Sequence, residues 1–199
     1  MSDLFKEKAQ EWDVNQMVQQ LSAGIGGAIL NNVALDTDMH VMDFGAGTGL
    51  ISAHIAPNVE KITAVDISEA MLDQLLAKPE LKGKVDIACR NILSDPLDEK
   101  FDLIMSAMAM HHVKDTAELM SSFSEHLKPG GKIALADLDK EDGSFHPADV
   151  EGVYHDGFER SEIENVLKSS GFSNISFVTA HTVDKEGKSY PIFLVTADK

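Results

Sequence analysis

One nine-residue run narrows the possible folds more than anything else in the chain: Val41-Met42-Asp43-Phe44-Gly45-Ala46-Gly47-Thr48-Gly49. An apolar stretch from His40 to Phe44 stops at three alternating glycines, and a helical pattern opens at about Thr48. Glycine adopts turns that other residues resist and lets a ligand approach the backbone closely. The helix that follows starts with free N–H groups. Such a strand, turn and helix unit builds an open, mostly parallel sheet when it recurs along the chain.

It does recur. Val14, Met17, Val18, Leu21 and Ile25 step by threes and fours, which predicts a first helix from Asp13 to Leu30, weakened at its end by Gly24, Gly26 and Gly27. Strands follow at Lys61–Val65, Lys84–Ala88, Phe101–Met105 and Ile133–Leu138. Between them lie a helix capped by Ser68 and closed by Pro79, and one opened by Asp115 and Glu118 and stopped by Lys128-Pro129-Gly130-Gly131. Ser161 and Glu164 form the pattern of a capping box for a last helix ending near Gly171. Two extended runs, Ile175–Val183 and Tyr190–Ala197, complete the order as a hairpin around Asp184–Lys188.

The chain has 199 residues, which suits a single domain over 1–199, with 1–30 as an N-terminal helical cap. Its 17 Lys and Arg against 33 Asp and Glu leave a net charge of −16. A surface of that sign repels phosphate backbones and anionic membranes, so neither nucleic acid nor a membrane surface is the expected partner. Apolar-biased runs reach only about eight residues, against the ~20 that a membrane span needs. The single cysteine, Cys89, excludes an internal disulfide, and the charged N-terminus lacks the apolar core of a secretion signal. The expectation is a cytoplasmic protein.

Two ligand classes use a glycine loop of this kind. A dinucleotide site has the spacing G-x-G-x-x-G with pyrophosphate on the helix N-terminus. Here the spacing is G-x-G-x-G, and Leu50 stands where the last dinucleotide glycine falls. Asp43 precedes the loop, a poor neighbour for pyrophosphate and a good one for a cationic ligand. Asp66 ends the second strand, where a carboxylate accepts bonds from both ribose hydroxyls.

Asp43–Gly49, Asp66, Phe101–Ser106 and Leu127–Lys132, with His111-His112 after the fourth strand, resemble the motif series of class I S-adenosylmethionine-dependent methyltransferases. Within that family the chain is similar to the small-molecule enzymes of the ubiquinone and menaquinone biosynthesis type. The resemblance spans about Lys8 to Phe172. It implies an α/β, three-layer Rossmann-like fold with a seven-stranded sheet in the order 3-2-1-4-5-7-6, strand 7 antiparallel. It implies S-adenosyl-L-methionine as cofactor and a small-molecule methyl acceptor as partner. Asp43, Gly45, Ala46 and Gly47 would then face the methionyl part and Asp66 the ribose. Ile67, Asn91 and Ile92 would lie near the adenine, and Ser106 would line the cofactor beside Ala107. The family often has an acid after strand three, and here Asn91 stands in that stretch. Trp12-Asp13 resembles a segment that closes over the cofactor. The alternatives are a silent module that binds the cofactor without transferring methyl, and a nicotinamide oxidoreductase.

Methyl transfer needs alignment, and a base only where the nucleophile must lose a proton. The candidates for that base are His111, His146 and His155, with His112 and Asp137 beside them. The long connection 139–160 is the expected substrate loop. Its start, Asp137-x-Asp139-x-Glu141, departs from a calcium loop at Asp142 and Ala148, so no metal site is expected. The acids after the fifth strand would make an acidic crevice mouth favouring neutral or cationic acceptors.

Overall fold

Asn15 starts the first helix. In the computed structural model, which describes residues 5–147 and 150–199, the Asn15 side chain accepts from the backbone N–H groups of Met17 and Val18. Helix α1 therefore spans Gln16–Asn32, and the expected start at Asp13 is instead a 3-10 turn, Trp12–Val14. The first four residues of the expected cap and Ala148 of the calcium-type frame lie outside the described residues.

The glycines do not weaken the end of α1 as their propensity predicts. At Gly24 and Gly26 the missing Cβ atoms let the helix approach its neighbours, whereas a Cβ on Gly27 would meet nothing within 4 Å. A Cβ on Gly24 would sit 2.7 Å from the His181 ring, and one on Gly26 would sit 2.7 Å from His54. Tertiary contact thus outweighs a helix penalty of about 1 kcal/mol per glycine. A Gly26→Ala variant should be destabilised by about 1–3 kcal/mol through overpacking, although alanine is the better helix former. Thermal unfolding checks this, and an unchanged or raised midpoint would show that His54 moves freely.

The strands are β1 (His40–Phe44), β2 (Lys61–Asp66), β3 (Val85–Cys89), β4 (Phe101–Ala107), β5 (Leu127–Leu138), β6 (Ser173–Lys185) and β7 (Lys188–Asp198). They form one sheet in the order β3-β2-β1-β4-β5-β7-β6. β7 runs antiparallel to β5 and β6, and the other neighbours pair in parallel. The expected order and the one reversed strand are both present. Helices α2 (Leu50–Ile55), α3 (Glu69–Leu76), α4 (Thr116–His126) and α5 (Arg160–Ser169) connect them.

Alternation along β1 sets the two faces. Val41 packs with Ile25, Ile29 and Ile55 on one side, and Met42 with Ile104, Phe123 and Leu167 on the other. Both β1 residues are fully buried, as a central parallel strand requires.

Three local expectations change. Lys128–Gly131 is a bulge inside β5: Phe101 pairs with Leu127, and the next pair is Leu103 with Lys132. Ser161 does not cap α5. The helix begins at Arg160 after Glu159, which makes no side-chain cap bond. The guanidinium of Arg160 instead binds both oxygens of Asp139 at 2.7 Å and so fixes the start of the helix. The hairpin strands run longer than expected, closing on Glu186 (φ 54°) and Gly187 (φ 79°), the two positive φ angles of a tight hairpin turn.

Candidate functional site

The carboxyl ends of β1, β4 and β5 lie side by side, so the loops leaving them gather over one edge of the sheet. After β1, Gly45 and Ala46 donate to the Val65 carbonyl at 2.8 and 3.1 Å, which folds the loop back onto β2. Gly45 has φ +69°, and a Cβ there would lie 2.3 Å from the Cβ of Ala109. Gly47 (φ +53°) faces open space, so a ligand has room to approach the backbone there. Gly49 sits tight against Leu75 at the start of α2.

Two carboxylates frame this loop. Asp66 accepts from Gly47 N at 2.8 Å and Ser68 N at 2.9 Å. Asp43 is 2 % exposed and accepts from the Ser52 hydroxyl at 2.7 Å. Burial, helped by the charge of Asp66, raises its pKa to about 7 against the opposing bond from Ser52. A buried acid tuned this way is neutral or charged according to what sits beside it.

Ile67 is 58 % exposed next to Asp66. Asn91 is exposed and accepts from Leu93 N at 3.1 Å, while Ile92 lies in the apolar core. Ser106 is buried, and its hydroxyl has no partner among the described residues.

The histidines lie across from the glycine loop. The chain leaves β4 through Met108, at φ 56°, and a 3-10 turn, Met110–His112. That turn carries His111 to Asp137 on β5. The His111 Nδ1–Asp137 Oδ1 distance is 2.7 Å, with the two side chains 1 % and 0 % exposed. Asp137 also accepts from the backbone N–H of His111 at 3.2 Å and of Leu138 at 2.8 Å. A carboxylate only accepts, so Nδ1 of His111 carries the proton and Nε2 presents its lone pair. Nε2 is buried with no partner among the described residues.

His112 packs 4.2 Å from His111 between ring centroids, and His146 packs 4.9 Å from it. Burial lowers the pKa of both rings, that of His146 to about 4. They are therefore neutral imidazoles at neutral pH. Among the described residues no group of three His, Cys, Asp or Glu is arranged to hold a metal. His155 engages other partners: Nε2 bonds to the Val113 carbonyl at 2.9 Å and the ring packs on Phe158.

The acids after β5 are committed too. Asp139 pairs with Arg160, Asp142 with Lys188, and Glu141 accepts from Ser144 N and Phe145 N. Local ion pairing thus offsets two of the acids expected at the crevice mouth, Asp139 and Asp142.

A strap from the N-terminus spans both halves. Asp13 accepts from the Thr48 hydroxyl at 2.5 Å and pairs with Lys78. Phe5 lies edge-on to His112 at 5.4 Å and near Trp12 at 6.1 Å. Sequence patterns place Trp12-Asp13 near the cofactor loop. They do not reveal Phe5, Thr48, Lys78 or the His111–Asp137 pair, which depend on tertiary contact.

Comparison with known proteins agrees with this layout. Residues 17–177 match a methyltransferase domain family. An uncharacterized methyltransferase of Schizosaccharomyces pombe is 33 % identical over 166 residues, covering 75 % of this chain and 58 % of its own length. The chain thus spans little more than half of that relative. A chain from the complex between the Haloferax volcanii Trm112 methyltransferase activator and a methyltransferase superposes with a TM-score of 0.80 at 15 % identity, covering 100 % of this chain and 98 % of that one. The N-methyltransferase NodS of Bradyrhizobium japonicum, bound to S-adenosyl-L-homocysteine, gives 0.73 at 16 % identity over 99 % and 94 %. At these identities the structural likeness speaks for the fold. The sequence match over most of the chain goes further: this protein belongs to the methyltransferase domain family.

Proposed function

We propose that the protein transfers a methyl group from S-adenosyl-L-methionine to a small-molecule acceptor. The observation that carries the reading is the buried His111–Asp137 pair, with its free Nε2, on the same sheet edge as the glycine loop and Asp43. The cofactor fits the residues present: Gly47 leaves open space, and two carboxylates suit a cationic nucleoside. Asp43, Gly45, Ala46 and Gly47 hold its methionyl part and Asp66 its ribose. Ile67 and Asn91 flank the adenine, Ile92 supports that turn from the core, and Ser106 offers its unpartnered hydroxyl beside them. Trp12 closes the strap over it.

Bound S-adenosylmethionine supplies a methyl group activated by a sulfonium. His111 accepts the acceptor's proton at Nε2 while Asp137 holds the ring. His111 is already withdrawn from water, at 1 % exposure, and Phe5 of the strap covers the neighbouring His112 ring.

We also assign the chain to the cytoplasm as one domain, on the lone cysteine and the single sheet shared by both core clusters. Among the described residues no helix is long and apolar enough to cross a membrane.

Equilibrium dialysis with labelled S-adenosylmethionine should show saturable binding, and a metabolite extract should then yield S-adenosylhomocysteine. No binding at near-millimolar cofactor overturns the reading. Binding without product marks a module that has lost transfer.

A further inference from the structure

Residues 5–14 run from the histidine side of the site to the glycine loop with little apolar packing to hold them. Among them only Ala9 is buried, and Val14 is 76 % exposed. Backbone bonds within them are local turns: Lys8 N to the Phe5 carbonyl and Glu11 N to the Lys8 carbonyl. A segment with few buried apolar contacts opens readily unless something fastens it.

The fastening is polar and sits at one end. The Asp13 carboxylate accepts from the Thr48 hydroxyl at 2.5 Å and pairs with Lys78. Its main-chain carbonyl accepts from Gln19 Nε2 at 2.6 Å, which ties it to the first turn of α1. The Lys78 side chain is only 13 % exposed, and a cation so covered needs its counter-charge. Lys78 follows α3 between Leu75 and Leu81, both buried. These two side chains crowd against Gly49, next to Thr48. Both partners of Asp13 therefore belong to one packed unit. At the other end of the segment, Phe5 lies edge-on to His112 at 5.4 Å.

We propose that Lys78 is a positioning residue that latches the strap through Asp13, and that this one latch governs both sides of the site. Releasing it uncovers the glycine loop and the His112 ring together. The proposal rests on the methyl-transfer reading above and deepens it: S-adenosylhomocysteine leaves, and fresh cofactor enters, at a rate set by a lysine outside the glycine loop. Lys78 and Thr48 stay with the core, and the strap is the side that lifts. Once Asp13 lets go, Phe5 keeps only an edge-on ring contact, which is weak alone. Asp13 is 35 % exposed, so dissolved salt reaches the pair and screens it.

Trp12 is the only tryptophan of the chain and adjoins Asp13, so its fluorescence reports the latch without cofactor. In Lys78→Met its emission should move to longer wavelength, and acrylamide quenching should rise about twofold or more. Lys78→Arg, which keeps the charge, should restore the parent signal. In the unaltered protein sodium chloride should raise the quenching, and Lys78→Met should abolish that salt dependence. In protein labelled with ¹⁵N-histidine, Lys78→Met should also shift the ring signals of His112. Those of His126, held by Leu97 N and the Ser122 carbonyl, should stay in place. Release of S-adenosylhomocysteine, followed by stopped flow, should quicken about three- to tenfold in that variant. A Trp12 signal that neither Lys78→Met nor salt changes overturns the latch. A freed Trp12 beside an unmoved His112 overturns the coupling of the two sides, and an unchanged release rate overturns control of exchange. Failure of the underlying reading looks different: Trp12 responds as expected, yet the unaltered protein binds neither S-adenosylmethionine nor S-adenosylhomocysteine.

Discussion

An Asp137→Asn variant should lose about two to four orders of magnitude in methyl-transfer rate while still binding the cofactor. Asp137 is fully buried and spends its oxygens on His111 Nδ1 and on two backbone N–H groups. Asparagine keeps the shape and the carbonyl acceptor but brings an amide donor. If that donor faces the ring, the proton moves to Nε2 and the lone pair is lost from the side where the acceptor must give up its proton. The loss should appear in kcat more than in KM, because the ring acts in the transition state. His111→Gln should cost a similar amount, and the double variant little more, since the two residues act as one unit. Thermal unfolding and cofactor binding would separate this from misfolding. A folded Asp137→Asn variant within about threefold of the parent would remove His111 as the base.

The pairing behind that prediction was hidden in the sequence, and the reason is physical. His111 and Asp137 are 26 residues apart, and nothing local ties them. They meet because Ala107 pairs with Ala136 in the β4–β5 register and a single 3-10 turn brings His111 back to the strand end. The glycine loop was legible because its information is local: a buried strand, three glycines at positive φ and a helix start within ten residues. The sheet order was legible only through the motif series, since composition and periodicity do not order strands. Local rules misled where a distant partner intervened. Ser161 and Glu164 have the capping-box spacing, yet Asp139, just past the end of β5, binds Arg160, and the helix starts two residues earlier than that spacing predicts. Gly24 and Gly26 look like helix breakers until His181 and His54 are placed against them. His155, a candidate beside His146 by sequence, is drawn elsewhere by its bond to Val113 and its packing on Phe158.

An Asp43→Asn variant should make the empty protein more stable at pH 8 and at the same time weaken cofactor binding. In the folded protein the Asp43 pKa is raised from 3.8 to about 7, chiefly by burial. The neutral acid is therefore favoured in the fold. The stability this group contributes is fully present below pH 3.8, declines as the unfolded chain ionises, and is gone once pH passes about 7. At pH 8 the empty fold carries a buried charge whose cost is bounded at about 4 kcal/mol by the size of the shift. Asparagine removes the titration, so the variant should gain on the order of 1–4 kcal/mol at pH 8 and little at pH 4. The cationic cofactor reverses the balance. It favours ionised Asp43, so the parent should bind it more tightly as pH rises through about 7 and take up cofactor with loss of a proton. The variant should bind about ten- to a hundredfold more weakly, without that pH dependence. Denaturant midpoints at pH 4 and 8, with and without S-adenosylmethionine, read both halves together. Equal midpoints at pH 8 would mean that Asp43 carries no charge in the empty fold there, and equal affinity would mean that it does not face the cation.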